Sequence, residues 1–269
     1  MTSDSLLVER DGSGGAGSHI AVVTFNRPAV RNALNAETLE ALHRVMRNLK
    51  ADERVRVVIL TGAGDKAFVA GADISQFKDR RRNMEDEAEY RRIGARGREA
   101  LNALTKPLLA MIHGYCVGGG VSIAIGCDIR IASDDARFGI PAARLGLGYH
   151  YSGMEQLMAL VGPSVTKEIF FTARTDWSAQ DALRMGLVNQ VVPKAELEAF
   201  TRDYAHMMAK NAPLTLRSAK ASVNELVRPP EKRDLAMLEK LIADCFNSQD
   251  YQEGVKAFSE KRRPQFQGR

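Results

Sequence analysis

Residues 108–132 read LLAMIHGYCVGGGVSIAIGCDIRIA. Leu108 to Ile112 is an unbroken apolar run of strand length, Gly118 to Gly126 opens a small-residue helix, and Ile129 to Ala132, apolar apart from Arg130, reads as a short strand. An apolar strand that passes through glycines into a helix, and then into another apolar strand, is the pattern of a parallel sheet with crossover helices. Gly118, Gly119 and Gly120 stand where strand hands over to helix. They permit close helix–sheet packing. They also open a helix N-terminus, where unpaired amides and the positive dipole end can hold an anion. From these residues alone both readings stand.

The same alternation runs upstream. Leu6 to Glu9 and Ile20 to Phe25 read as strands, Asn35 caps a helix through about Leu49, Val55 to Leu60 is a strand, and Glu85 to Leu104 is a long polar helix. The segment Asp11 to Ser18 contains Gly12, Gly14 and Gly17, a formal GxGxxG. A dinucleotide fingerprint leads from strand into helix, whereas this one leads into IAVVTF, so it reads as a hairpin loop. Beyond Gly146 the pattern turns helical, with Met154, Leu157, Met158 and Val161 at helical spacing, then helices over 167–171, 179–185, 194–210, 214–227 and 235–247. Trp177 is expected to pack within this helical part. The division predicted is an α/β core over 1–200 and a helical C-terminal region over 201–269.

Composition excludes several classes. The chain has 269 residues, 45% hydrophobic and 26% charged, which is globular rather than disordered. An excess of 38 Lys and Arg over 33 Asp and Glu is mild. Its dense cluster, Arg80 to Arg82, lies among Asp79, Glu85 and Asp86, which reads as a solvated face and not a nucleic-acid track. Three cysteines form no CxxC pair and no metal spacing, the N-terminal residues lack a secretory pattern, and no apolar run has membrane-spanning length. A cytoplasmic protein without a metal site is expected.

A second segment pairs with the glycine run. Asp65 to Ser75, DKAFVAGADIS, follows the VRVVIL strand, and Ala70, Gly71 and Ala72 are small enough to let a ligand approach the backbone. Two such segments suit one chemistry. A thioester attacked at its carbonyl, or deprotonated at its α-carbon, develops negative charge on oxygen. Two convergent backbone amides stabilise that charge by roughly 3 kcal/mol per donor.

The pair FVAGADI and GYCVGGG resembles the two signature segments of the crotonase (enoyl-CoA hydratase/isomerase) superfamily. NRPAVRNAL at 26–34, GLVNQVV at 186–192 and EGVKAFSEKRRPQF at 253–266 are similar to further stretches of that family, so the resemblance runs from about residue 20 to the end. It implies a crotonase-like spiral of ββα units with a helical C-terminal trimerisation region. It implies an oxyanion hole from the amides of Ala72 and Gly119. Ala33, Ala70, Gly71, Asp73, Ile74, Ser75 and Gly118 would border an acyl-CoA ligand, Asp73 with a structural share as well. Arg31 would meet coenzyme A phosphates, a role that suits its planar fork. Phe258 and Lys261 would close over the adenine end, from a neighbouring subunit. An acyl-CoA or enoyl-CoA partner, a homotrimer or dimer of trimers, and no cofactor beyond the substrate's own coenzyme A follow from the same resemblance.

The sequence departs from that family at two positions. Hydratases of the family place one glutamate three residues after the oxyanion-hole glycine and another after the proline of a QPE-like segment. Here those positions are Ser122 and Ala142. Both lie in the substrate site, and neither is a carboxylate. The segment GLGYHYSG at 146–153 supplies His150, where some relatives carry a catalytic aspartate. Imidazole is the side chain best matched to proton transfer near neutral pH, so His150 is the catalytic candidate, with pocket lining as its ordinary reading. Alternation in an extended loop puts Tyr149 and Tyr151 on the face opposite His150, as packing residues. Arg144 could hold a substrate carboxylate or form a surface ion pair. Three functions remain open: a hydratase/isomerase-type lyase or isomerase using His150, an acyl-CoA decarboxylase or thioester hydrolase, and a non-catalytic acyl-CoA-binding subunit.

Overall fold

The computed structural model describes residues 4–10, 19–73 and 84–269. The hairpin loop read at 11–18, the arginines at 80–82, and Ile74 and Ser75 lie outside the described residues.

Six strands form the main sheet: β1 (Leu6–Arg10), β2 (Ile20–Phe25), β3 (Val57–Gly62), β5 (Leu108–Ile112), β7 (Ile129–Ser133) and β10 (Gln190–Val192), in the order β1-β2-β3-β5-β7-β10. Every neighbouring pair is parallel except β1 with β2. The reason is visible in β3, VVILTG, where all six residues are buried. Such a strand needs cover on both faces. One face, with Val23, Val58, Leu60, Leu108 and Ala110, packs under α1 (Ala36–Ala51), α2 (Met84–Asn102) and α3 (Gly119–Ile125). The other, with Val22, Val57, Ile59, Leu109 and Ile131, is covered by Leu197, Ala205 and Ala209 of a helix over Leu197–Ala209. The boundary expected at 200/201 falls within that helix, whose apolar stripe belongs to the sheet.

Four strands that the sequence pattern does not mark form a second sheet: β4 (Ala67–Val69), β6 (Tyr115–Val117), β8 (Arg137–Gly139) and β9 (Trp177–Ser178), in the order β4-β6-β8-β9. Each has two or three residues, too few for any periodicity to register. They reveal the repeat. β3, β4 and α2, then β5, β6 and α3, then β7, β8 and α4 (Tyr151–Thr172), each send one strand to either sheet and one helix across, which is the expected spiral of ββα units. Trp177 therefore belongs to a strand and not to the helical region. It is buried opposite Phe138, with the Arg174 guanidinium 4.1 Å from its ring centroid.

Four C-terminal helices follow as expected, α5 (Ala179–Arg184), α6 (Leu197–Ala209), α7 (Pro213–Leu226) and α8 (Leu235–Phe246), and a further one, α9 (Gln249–Ser259), lies beyond the helices read from the sequence. The stretches read as two helices around 154–161 and 167–171 join in α4, which departs from helical geometry at Gly162 (φ 75°), just before Pro163. A residue preceding proline is pushed out of the helical region, so the break has a local cause.

Candidate active site

Two short strands bring the signature segments together. β4 and β6 run parallel with Ala67 opposite Tyr115 and Val69 opposite Cys116. The chain then leaves β4 as Ala70-Gly71-Ala72 beside the exit of β6 as Gly118-Gly119. Gly71 has φ 111°, a conformation reserved in practice for glycine, and a Cβ there would stand 3.3 Å from the Val117 carbonyl oxygen. A Cβ on Gly119 would stand 3.7 Å from the amide nitrogen of Ala72 and 3.1 Å from Leu34 Cδ1.

Two amides are left over at that junction. Leu34 forms a parallel bridge with Ala72, in which Leu34 N donates to Gly71 O at 2.8 Å and Asp73 N donates to Leu34 O at 2.8 Å. In a parallel bridge the central residue's own amide points away from its partner, so the Ala72 N–H faces away from Leu34. Gly119 is the first residue of α3, where a helix N–H has no intrahelical acceptor. The two donors therefore belong to neighbouring backbone segments, and among the described residues neither has an acceptor.

The surroundings of this pair are braced. Arg27 donates to the Ala33 carbonyl at 2.6 Å and to Asp73 Oδ2 at 2.8 Å, which fixes Asp73 as a structural anchor on the rim. Asn32, buried with φ 57°, donates from Nδ2 to the carbonyls of Ala63 and Ala67 at 3.0 and 2.8 Å. Sequence reasoning passed over both. The signal was the NRP and RNA tripeptides, in which a short amide can hold a left-handed turn. Ala70 N donates to Arg31 O at 3.0 Å. The Arg31 guanidinium is exposed, 5.2 Å from the Tyr115 ring centroid, beside a shallow cleft lined by Gly64, Asp65 and Lys66.

Neither position at which the resemblance leads one to expect a glutamate is remote from the amides. Ser122 lies one turn into α3, its amide donating to Gly118 O at 3.2 Å. Helical side chains tilt back toward the N-terminus, so its hydroxyl sits above Gly118 and Gly119. Ala142 follows Gly139, whose carbonyl accepts from Gly118 N at 2.8 Å, and is buried at the start of a 3-10 turn over Ala142–Leu145. Arg144 stands exposed on that turn. The ring that reaches the site is Tyr149. Its hydroxyl lies 3.2 Å from Ser122 Oγ, and its ring packs edge-on against Phe170 with centroids 4.8 Å apart.

His150 is placed one residue further on, exposed, as the N-cap of α4. Its Nδ1 lies 2.9 Å from Ser152 Oγ and 3.4 Å from Ser152 N. The expected alternation holds from Tyr149 to His150 and ends there, because this cap starts the helix at Tyr151. Tyr151 is 77% exposed and tilted against the His150 ring at 4.4 Å, so it is not a packing residue in the protomer. Phe258 is 88% exposed in the last turn of α9, and Lys261 follows at φ 53°, both on the protomer's surface. Buried His113, beside Gly114, is pushed below the ordinary imidazole range by desolvation and by Lys194. It flanks the loop at 64–66 and contributes nothing to the amide pair. Among the described residues no group of His, Cys, Asp and Glu has metal-binding geometry, and no helix is long and apolar enough to cross a membrane.

Known proteins resemble this chain over nearly its whole length. The sequence model of the enoyl-CoA hydratase/isomerase family matches residues 15–269. The chain is 38% identical to a short-chain-enoyl-CoA hydratase of Clostridium acetobutylicum, over 98% of this chain and 97% of that one. It is 35% identical to a crotonyl-CoA hydratase of Syntrophomonas wolfei, over 99% of each. Among solved structures, an enoyl-CoA hydratase/carnithine racemase from Magnetospirillum magneticum superposes with a TM-score of 0.91 at 33% identity, covering 100% of this chain and 97% of that one. The enoyl-CoA hydratase from Bacillus anthracis does so with a TM-score of 0.89 at 32% identity, covering 98% and 100%. Fold, signature segments and relatives agree, and the chain belongs to the enoyl-CoA hydratase/isomerase family of the crotonase superfamily.

Proposed function

We propose that this protein is an acyl-CoA enzyme that draws the thioester carbonyl onto the amides of Ala72 and Gly119 and works through the enolate so stabilised. The observation that carries this reading is the nearness of two acceptor-free amides at neighbouring strand exits. Preorganised donors of this kind need no reorganisation as charge develops, and removal of one typically costs about 3 kcal/mol of transition-state stabilisation. Small residues at 70–72 and 118–119 leave the backbone open to the ligand. Arg31, beside the cleft that Asp65 and Lys66 line, is assigned to the coenzyme A phosphates, and no cofactor beyond that coenzyme A is invoked.

The reaction assigned first is of the hydratase/isomerase type on a short enoyl-CoA, which the names of the relatives from Clostridium and Syntrophomonas favour. In this reading His150, turning inward from its cap on Ser152, is the base that activates the adding water. A second reading, decarboxylation or thioester hydrolysis, is favoured by a different observation: positions 122 and 142 carry serine and alanine. Loss of carbon dioxide generates the enolate without a base, so an oxyanion hole and a proton donor suffice. A purely binding role is the outcome if neither chemistry is found.

Self-association completes the proposal. Leu235, Phe246, Tyr251, Val255 and Phe258 on α8 and α9 expose large apolar surface on the protomer, as a homotrimer or dimer of trimers requires, with Phe258 and Lys261 reaching a neighbour's adenine end. The cytoplasm is the compartment proposed. Cys116 and Cys127 are unpaired and buried, and burial pushes the Cys127 thiol up to about 12.

The test is a short trans-2-enoyl-CoA in heavy water, with loss of conjugation and deuterium incorporation followed together for wild type and His150→Ala. Hydration that falls by about 100-fold or more in the variant supports the first reading. Hydration untouched by the variant removes His150. Tight binding with neither hydration nor exchange, together with carbon dioxide release from a malonyl-type thioester, establishes the second.

A further inference from the structure

Hydration and decarboxylation both end with a proton delivered to the α-carbon, and His150 is spent on an exposed helix cap, whereas Tyr149 is held at Ser122. The geometry points to Tyr149 as the residue that delivers this proton, with Ser122 as the relay that holds and recharges its hydroxyl. The inference rests on the acyl-CoA reading above and concerns the same site.

Three observations place the phenol there. First, Ser122 lies one turn after Gly118, its amide donating to Gly118 O, and helical side chains tilt toward the preceding turn; Tyr149 Oη lies 3.2 Å from its Oγ. The phenol is thus held at the side chain of position 122. Second, the ring cannot swing away freely. It is edge-on to Phe170 at 4.8 Å, and a Cβ on Gly153 would stand 2.8 Å from its Cε1. Glycine at 153 makes room for the ring in this position. Third, the hydrogen count leaves a donor over. Two hydroxyls share one contact, so one donates to the other and the second hydrogen is left for a third group. Both residues are half-buried, so that group has access.

The chemistry balances with water as the only co-reactant. The enolate's carbon–carbon π pair takes the phenolic hydrogen. A C–H bond forms at the α-carbon, the Tyr149 O–H bond breaks, and the thioester carbonyl reforms as charge leaves the Ala72–Gly119 amides. The phenolate takes the Ser122 hydroxyl proton, and Ser122 takes one from solvent, a net uptake of one proton. A phenol is a stronger acid than a thioester α-carbon, so the transfer runs downhill. The neutral phenol is, by contrast, a poor base for activating water. The pair therefore suits reactions that end in enolate protonation. Run backwards, the same steps exchange an α-hydrogen with solvent.

That exchange is the experiment. Butyryl-CoA in heavy water reports loss of its α-hydrogens by proton NMR, independently of whether the natural reaction is hydration or decarboxylation. Wild type exchanges. Tyr149→Phe keeps the ring against Phe170 and slows exchange by about 100-fold or more, with butyryl-CoA affinity within about twofold and the unfolding midpoint unmoved. Ser122→Ala slows exchange by about tenfold, and Ser122→Thr, which restores a hydroxyl, recovers it. Gly153→Ala, which crowds the ring, also slows exchange while leaving affinity in place. Exchange in Tyr149→Phe within about threefold of wild type overturns the proposal. So does slowing that comes with lost affinity or a lowered midpoint, since that is a packing role. Wild type that binds butyryl-CoA without exchange overturns Tyr149 as the α-carbon acid and leaves the oxyanion reading standing. Wild type that binds no acyl-CoA brings down that reading and this one with it.

Discussion

At the scale of single residues, the site depends on side chains that never meet the ligand. Asn32 is buried, left-handed, and bonded through both faces of its amide: Nδ2 to Ala63 O and Ala67 O, and Oδ1 accepting from Arg27 N at 2.9 Å. Asn32→Asp keeps the shape but turns a double donor into a carboxylate facing two carbonyls. A buried acceptor pair without its donor costs about 3 kcal/mol. Urea unfolding should register that loss, and binding of acyl-CoA should weaken with it, because the Ala63–Ala67 loop feeds β4. The contrast between Tyr149 and His150 belongs to this scale as well. The sequence ranks the imidazole first on intrinsic acidity. The backbone turns the phenol inward and spends the imidazole on capping α4.

At the scale of elements, the decisive object is a strand of three residues. β4 and β6 bring Ala72 beside Gly119, and α3 starts against β4 so closely that a Cβ on Gly120 would lie 2.1 Å from Val69 O. Gly120→Ala therefore forces helix and strand apart. The expected loss of stability is about 1–3 kcal/mol, read as a lower midpoint in chemical denaturation. Because the displaced strand carries Ala70–Ala72, affinity for acyl-CoA should fall in the same variant, whereas an alanine at Gly146, where a Cβ meets nothing within 4 Å, adds only the strain of its φ of 62°. Gly118 to Gly120 were legible as a close approach or an anion site, and the structure shows the close approach, at Gly120.

At the scale of the whole molecule, the C-terminal tail is tied back onto the core. Arg56 donates to the carbonyls of Ala209 and Phe266 at 3.0 and 2.7 Å, and Glu253 accepts from Arg262 and from Gln265 N at 2.8 Å. The Arg262 guanidinium, followed by the Gln265 amide, holds the Glu253 carboxyl at about 2, against 4.5 ordinarily. A depressed acid binds fewer protons folded than unfolded, so its contribution is complete above about pH 4.5 and is lost as pH falls toward about 2. Wild type should thus be more stable than Glu253→Gln at neutral pH, and the difference should shrink across that window. Thermal unfolding at a series of pH values measures it, and a difference that stays constant down to pH 2 would refute the linkage.

The sequence by itself determined the class of fold, the parallel main sheet and the two signature segments. These rest on local composition: apolar runs without alternation can only be strands covered on both faces, and glycines at a strand exit mark backbone that something approaches. It also put serine at 122 and alanine at 142, because a residue's identity is a local fact. Only the tertiary structure decided that Tyr149 meets Ser122. The second sheet is built from strands of two and three residues whose pairing is set by contacts distant in sequence. The direction in which 149 and 150 face is set by where the next helix happens to be capped.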